Sequence, residues 1–148
     1  MADLVRLERE HRFGVPLETG FAFITDTGNW QRFWPGFVRI EDGSGWSAPG
    51  DEIRLVTRLL GREVELRMTL LRLERNLLVE YRSTQHGLPD ARHERHFAAG
   101  ETGFRYRLMV EYEPRPGLRA IYDRVLVRRG VDRALRQTVA NLEVAFRT

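Results

Sequence analysis

On two neighbouring predicted strands, polar side chains that can bind a ligand or transfer a proton occupy the same alternate positions as the apolar residues. Ser83 and Gln85 follow Tyr81 at alternate positions of one strand. His93 and Arg95 occupy alternate positions of the next strand. Because alternate residues of a strand share one face, the spacing predicts a polar patch on the apolar side of a sheet. A polar group buried without a partner costs about 1–3 kcal/mol, so such a patch would indicate function.

A second interpretation places the strand near residues 91–98 at the edge of the sheet, with both faces in water. This strand is the least hydrophobic of the predicted set, and edge strands commonly carry charged side chains. The sequence favours this interpretation, under which His93 and Arg95 face solvent and form no patch.

Several kinds of chemistry are excluded or disfavoured by residue type and spacing. The chain has no cysteine, which excludes thiol nucleophiles, and no lysine, which excludes a Schiff base on a side-chain amine. His93 and His96 superficially resemble a zinc-protease pair, but a spacing of three on a strand directs them to opposite faces. No phosphate loop, nucleophile elbow or paired-carboxylate pattern occurs. We therefore predict no metal site and no cofactor.

The distribution of charge limits the partners. The net charge is +3, but the arginines alternate with glutamates along the strands, which indicates a solvated surface and no nucleic-acid partner. One local cluster could attract an anion or an anionic lipid, and it consists of Arg124, Arg128, Arg129, Arg133 and Arg136. No apolar run is long enough for stable membrane insertion. The N-terminus has no signal-like segment, so we expect a cytoplasmic protein, either a monomer or a homodimer.

The order of predicted elements defines the fold class. Residues 4–13 alternate apolar and charged side chains and predict a first strand. Pro16 opens a short helix and Asn29 can cap a second one. Residues 51–113 continue the alternation, and the pattern turns helical from Pro114 onward. All 148 residues thus predict a single α+β domain, in which a curved antiparallel sheet of seven strands wraps around a long C-terminal helix.

The C-terminal helix carries two apolar stripes that differ by about a quarter turn. The first comprises Leu118, Ile121, Tyr122 and Val125, and the second comprises Val131, Leu135, Thr138, Val139, Leu142 and Phe146. The change falls at Gly130, so we predict a kink there that lets both stripes face the curved sheet. The alternative is a helix with two imperfect stripes.

The N-terminal part resembles a known superfamily. Val15-Pro16-Leu17-Glu18 opens a short helix, and Asn29-Trp30-Gln31-Arg32-Phe33-Trp34-Pro35-Gly36-Phe37 follows it. This segment is similar to that of the polyketide cyclase/dehydrase and lipid-transport branch of the START-like, or SRPBCC, superfamily. The strand count, the Pro-Gly break after Tyr112 and the long last helix also match. The resemblance implies the helix-grip fold with a deep hydrophobic cavity.

The same resemblance implies a set of site residues. The cavity would be lined by Trp30, Trp34, Phe37, Leu55, Leu66, Met68, Tyr81, Tyr106 and Tyr122, all of which also suit an ordinary core. In cyclases of this superfamily, polar groups are thought to polarise carbonyls or move a proton along a folded poly-β-ketone. This implies His93 and Arg95 as candidate catalytic residues, with Ser83 and Gln85 as further ligand contacts.

Three functions remain open at this point. The preferred one is a carrier or sensor that binds a hydrophobic small molecule without changing it. The first alternative is a cyclase or aromatase that acts on a polyketide-like chain. The second alternative is a protein-binding activator of the heat-shock ATPase type, which would use the outer surface of the same fold.

Overall fold

Seven antiparallel strands form one sheet in the order β1-β7-β6-β5-β4-β3-β2. The structure is a computed structural model and describes residues 3–43 and 45–147. The strands are β1 (Val5–Phe13), β2 (Phe37–Gly43), β3 (Glu52–Leu59), β4 (Arg62–Glu74), β5 (Leu78–Thr84), β6 (Ala91–Ala99) and β7 (Phe104–Tyr112). Alternating apolar residues give β4 and β7 one buried face, as the period-2 pattern predicts.

Irregular pairing bends the sheet. The register between β2 and β3 shifts twice, and the register between β4 and β5 shifts between Leu70 and Arg72. Such bulges increase the local twist and bend the strands that contain them. The result is the predicted curved sheet, whose concave face receives the helices.

Two short helices connect β1 to β2, as predicted. Helix α1 (Leu17–Thr25) begins directly after Pro16 and packs on β6, where Phe21 contacts Phe97, and against the Phe104 side chain of β7. A Cβ atom on Gly20 would lie 2.2 Å from the Phe104 ring, so only glycine permits this approach. Helix α2 (Trp30–Phe33) follows a short 3-10 turn. Asn29 does not cap α2, because its side chain donates instead to the carbonyl of Phe23.

The C-terminal helical segment has three parts. Helix α3 (Arg119–Tyr122) continues through a π-helical turn (Asp123–Val127) into α4 (Arg128–Arg147). Two contacts hold α4 in place: Asn141 Nδ2 donates to the carbonyl of Phe33, and Glu143 Oε1 lies 2.7 Å from His11 Nε2 of β1. Among the helices of the described residues, none combines the length and the apolar character that crossing a membrane requires.

The predicted first stripe of this helix is wrong. Leu118 is 86% exposed and Ile121 is 65% exposed, and Val125 is also exposed. The buried residues of this part are Asp123 and Val127. A π turn places one extra residue in the helix, and one residue corresponds to about 100° of rotation. The π turn therefore shifts the phase between α3 and α4, and Leu118, Ile121 and Val125 lie on a face other than the buried stripe of α4.

Gly130 lies against the turn between β3 and β4, and the kink predicted there stays a prediction. This glycine lies inside the regular α4 helix, after the π turn. A Cβ atom there would lie 2.7 Å from Cδ2 of Leu60, a residue at the turn between β3 and β4. The glycine thus makes room for the tip of this hairpin.

The position of β6 overturns the favoured interpretation of that strand. It pairs with β5 on one side and with β7 on the other, so it is an inner strand of the sheet. Both His93 and Arg95 are partly buried there. The remaining architecture confirms the predicted α+β helix-grip fold.

Candidate functional site

A cavity of about 180 Å³ lies between the curved sheet and the C-terminal helix. Its wall includes ten residues that the sequence predicts as ligand contacts or catalytic groups. They are Trp30, Trp34, Leu66, Met68, Tyr81, Ser83, Gln85, His93, Arg95 and Tyr106. The sheet positions these side chains because alternate residues of β4 to β7 share the concave face.

Three predicted contacts lie outside the cavity wall. Leu55 is completely buried in the core of β3, so no surface remains for a ligand. Phe37 lies on the edge strand β2, and its partner Thr57 on β3 reaches the wall instead. Tyr122 belongs to α3, and the wall includes no residue of the helical segment before Val127.

The sequence prediction missed parts of the wall that come from loops and from the helix. Trp46 stands in the loop after β2, and its ring makes T-shaped contacts with Trp30 at 5.8 Å and Tyr81 at 5.6 Å. Leu88 comes from the loop between β5 and β6. The helix adds Val127, Val131, Ala134, Leu135 and Thr138. A tryptophan inside a Gly- and Ser-rich segment was the one available signal for Trp46.

The polar residues of β5 and β6 form a connected cluster at the wall. The rings of Tyr81 and His93 stack with a centroid distance of 4.3 Å and an interplanar angle of 5°. The Arg95 guanidinium lies 5.6 Å from the centroid of the Tyr81 ring, and its Nη2 donates to the Tyr81 hydroxyl at 3.2 Å. Stacking and cation–π contact hold these three side chains in one arrangement.

His93 is held at one ring nitrogen only. Its Nε2 lies 2.9 Å from the hydroxyl of Ser83, which is buried. Its Nδ1 is shielded from solvent and has no hydrogen-bond partner within the described part of the chain. Burial, with a smaller contribution from the positive charge of Arg95, lowers the pKa of His93 well below its usual value. The imidazole is therefore neutral at pH 7.

Arg95 carries a positive charge with no carboxylate partner among residues 3–43 and 45–147. Its Nη1 donates to the carbonyls of Glu94 and Met109, which satisfy hydrogen bonds but do not neutralise a charge. Tyr106 lies beside it, and burial raises the pKa of this phenol despite the nearby guanidinium. The cluster thus presents a cation and protonated phenols to the cavity.

The other face of β6 carries a separate network of charges. Arg92 binds Glu80 at 2.9 Å, Glu94 at 2.7 Å and Glu111 at 3.3 Å, and His96 lies 2.8 Å from Glu94. In this outward network three carboxylates surround the Arg92 guanidinium, so its charge is fully paired. The side chains on the opposite face of β6, including His93 and Arg95, line the cavity.

The sequence profile of one family, described as polyketide cyclase / dehydrase and lipid transport, matches residues 5–147. The chain belongs to this family. The recognition made from the N-terminal segment and the last helix is thereby confirmed. The chain matches none of the curated proteins with which it was compared.

Solved structures share the fold of this polyketide cyclase / dehydrase and lipid transport domain. The Zhui aromatase/cyclase from Streptomyces sp. R1128 has a TM-score of 0.84 at 13% identity, covering 97% of this chain and 93% of that one. The di-domain aromatase/cyclase BexL from the BE-7585A biosynthetic pathway has a TM-score of 0.77 at 15% identity, covering 95% of this chain and 49% of that one. TTHA0849 from Thermus thermophilus has a TM-score of 0.75 at 18% identity, covering 95% of this chain and 94% of that one.

The shielded imidazole of His93 predicts a pH dependence of stability. The unfolded chain protonates His93 near pH 6.5, whereas the native protein does not. The unfolded state therefore binds the extra proton, and the free energy of unfolding falls as pH decreases below about 6.5, by up to about 1.4 kcal/mol per pH unit. Urea unfolding between about pH 7 and pH 5 measures this slope.

Two variants separate this effect from other titrations. His93→Gln should flatten the slope in this window, and the exposed control His86→Gln should keep the wild-type slope. Equal slopes for wild type and His93→Gln would show that His93 titrates normally in the native protein.

Proposed function

We propose that this protein binds a small, mainly apolar molecule that carries a carbonyl or carboxylate oxygen, as a carrier or sensor. The observation that supports this most directly is that Arg95, which has no carboxylate partner among the described residues, lies in the wall of a mainly apolar cavity. Arg95 is partly buried and has no counterion among the described residues, so a ligand oxygen that accepts from it would gain a strong charge-assisted hydrogen bond.

The volume of the cavity restricts the size of this ligand. A dry apolar cavity of about 150 Å³ in another protein holds a benzene-sized molecule, and pockets for drug-sized ligands measure about 300–1,000 Å³. At about 180 Å³, the cavity suits a compact ligand. A longer chain would require aromatic wall residues such as Trp34 or Trp46 to move.

The environment of His93 favours binding over reaction. A general base usually has a partner that orients it and raises its proton affinity. The ring of His93 contacts a serine hydroxyl and lies near the positive charge of Arg95, and burial and that charge both lower its pKa. We therefore place the carrier function first.

Filling the cavity from the helix side tests this proposal. Ala134 lies in the cavity wall on α4, whereas Ala140 is exposed on the same helix. Ala134→Phe places a ring where the ligand would lie, and the lost apolar contact of about 1.5–3 kcal/mol corresponds to at least a tenfold loss of affinity. Fluorescence titration with an environment-sensitive apolar dye measures this affinity.

The control variant Ala140→Phe makes the same change outside the cavity. It should bind the dye with an affinity within about twofold of wild type, and both variants should keep the wild-type far-UV circular dichroism. Unsaturable dye binding by the wild type, or unchanged affinity in a folded Ala134→Phe variant, would contradict an internal binding site.

A second function, cyclase- or aromatase-like turnover of a poly-β-ketone, rests on a specific observation. The Nδ1 atom of His93 has no hydrogen-bond partner in the described residues, and the ring is neutral at pH 7. Once a movement of the wall brings substrate to the shielded Nδ1, this neutral nitrogen can accept a proton from a carbon next to a carbonyl, while Arg95 would stabilise the resulting enolate oxygen. This proposal differs from the first in requiring product formation.

A further inference from the structure

Four large apolar side chains lie exposed together at the start of the C-terminal helical segment. Leu118 is 86% exposed, Ile121 65%, Leu126 47% and Val125 43%. Other exposed aliphatic residues of the described chain, such as Leu77, stand singly on different elements. We call these four residues the α3 face. Its grouping is unusual, because scattered single apolar residues are normal on a protein surface and clusters mark interaction sites.

Exposed arginines surround the α3 face. Arg119, Arg124, Arg128 and Arg129 are all exposed, and the described residues place no carboxylate within 4.0 Å of any of them. The arginines on the outer surface of the sheet differ, because most of them pair with a glutamate, as Arg92 does. Three of the four, Arg124, Arg128 and Arg129, line a shallow surface groove together with Val125, Leu7 and one carboxylate, Asp132.

Two features of the helix fix this arrangement. The π turn directs Asp123 and Val127 inward, which turns Val125 and Leu126 outward. Asp123 is completely buried and binds the backbone and side chain of Arg115. The apolar residues are therefore exposed in a well-anchored helix and do not belong to a fraying end.

We propose that the α3 face docks on the surface of an anionic lipid bilayer. Apolar side chains on one helix face can enter the boundary between headgroups and acyl chains, and arginines beside them bind anionic headgroups. A symmetric contact between two copies would bring the same unpaired arginines together, which disfavours a dimer. A nucleic acid would pair with the arginines but would leave the aliphatic residues without a partner.

Vesicle co-sedimentation tests the docking. The probes are phosphatidylcholine vesicles with and without phosphatidylglycerol, at low and at high salt. Wild type should bind the anionic vesicles, bind the neutral ones at least tenfold more weakly, and lose affinity as salt increases. No binding to phosphatidylglycerol vesicles at low salt would overturn the proposal.

Two double variants separate the apolar and the charged contributions. Leu118→Ser/Ile121→Ser should weaken vesicle binding at least about tenfold, and Arg124→Gln/Arg128→Gln should weaken it about fivefold per arginine. The matched controls are Leu77→Ser/Val144→Ser and Arg105→Gln/Arg107→Gln, which remove exposed residues elsewhere. The controls should bind within about twofold of wild type. A loss as large in the apolar control as in Leu118→Ser/Ile121→Ser would overturn the assignment to this face.

A site-specific label gives a readout that does not depend on weakened binding. The chain has no cysteine, so Ile121→Cys and Val144→Cys each accept one environment-sensitive dye. The emission at position 121 should shift to shorter wavelength on anionic vesicles, and the emission at position 144 should not. Vesicle binding without a shift at position 121 would overturn the proposal, and so would self-association that depends on Leu118 and Ile121 in the absence of vesicle binding.

Discussion

We expect Asp123→Ala to lower the free energy of unfolding by about 2–3 kcal/mol. The Asp123 carboxylate is completely buried and accepts three hydrogen bonds from Arg115, at 2.8 Å from the backbone N–H, 3.0 Å from Nε and 2.8 Å from Nη2. Removing one partner of a buried pair leaves the other charge uncompensated. The Arg115 side chain is 20% exposed, so water can replace part of the loss, which keeps the effect below the largest values for buried pairs. Urea unfolding measures the change.

Asp132→Ala provides the matched control. Asp132 lies on the same helical segment, its side chain is 44% exposed, and it pairs with Arg136 at 3.3 Å. Exposed pairs of this kind contribute about 0–1 kcal/mol. If Asp123→Ala destabilised the protein no more than Asp132→Ala, the Asp123–Arg115 contact would not anchor the π turn.

The second large effect concerns His93 and decides between the two proposed functions. If the protein turns over a poly-β-ketone, His93→Ala should lower turnover about a hundredfold, the usual scale for the loss of one general acid or base. Ligand affinity should change only by the value of one hydrogen bond, about 0.5–1.5 kcal/mol. Product formation and dye binding are measured side by side for the wild type and the variant.

His86→Ala is the control for this experiment, because His86 is exposed and does not belong to the cavity wall. It should match wild type in both measurements. Turnover that persists in His93→Ala rules out the proposed proton transfer. Saturable binding by the wild type with no product from a panel of poly-β-ketone substrates would favour the carrier.

Period-2 alternation was sufficient to predict the seven strands. Strand β7 is the clearest case, since Phe104, Tyr106, Leu108, Val110 and Tyr112 are all buried on one face. The position of β6 was not predictable in the same way. Its outward charges are neutralised by residues of neighbouring strands, such as Glu80 and Glu111, and this pairing is invisible until the strands are placed side by side.

The errors in the C-terminal helix have a similar physical origin. The phase between the stripe of Leu118, Ile121 and Val125 and the stripe on α4 was derived with 3.6 residues per turn, which the π turn that separates α3 from α4 does not obey. No residue type marks a π turn, so the sequence could not locate it. The sequence analysis placed the change between the two apolar stripes at Gly130, because glycine is unfavourable inside a helix. In the structure, Gly130 leaves space for the Leu60 side chain.

The candidate site was predictable where regular strands supply it. Tyr81, Ser83, His93 and Arg95 lie together because their phases follow from strand geometry. The loop residues that complete the wall, above all Trp46, were not, since a loop's path depends on tertiary packing. The ligand role of all these residues stays a prediction.

The space between sheet and helix also has a thermodynamic consequence. Unfilled space leaves the side chains around it without packing partners, and the space here measures about 180 Å³. A molecule that fits would complete the hydrophobic core and raise the melting temperature with its concentration, by about 2.7 kcal/mol of stability at a hundred times its dissociation constant. Cellular proteases remove unfolded chains, and the proposed ligand would lower the unfolded fraction. The steady-state amount of this protein should therefore increase with the concentration of that ligand in the cell.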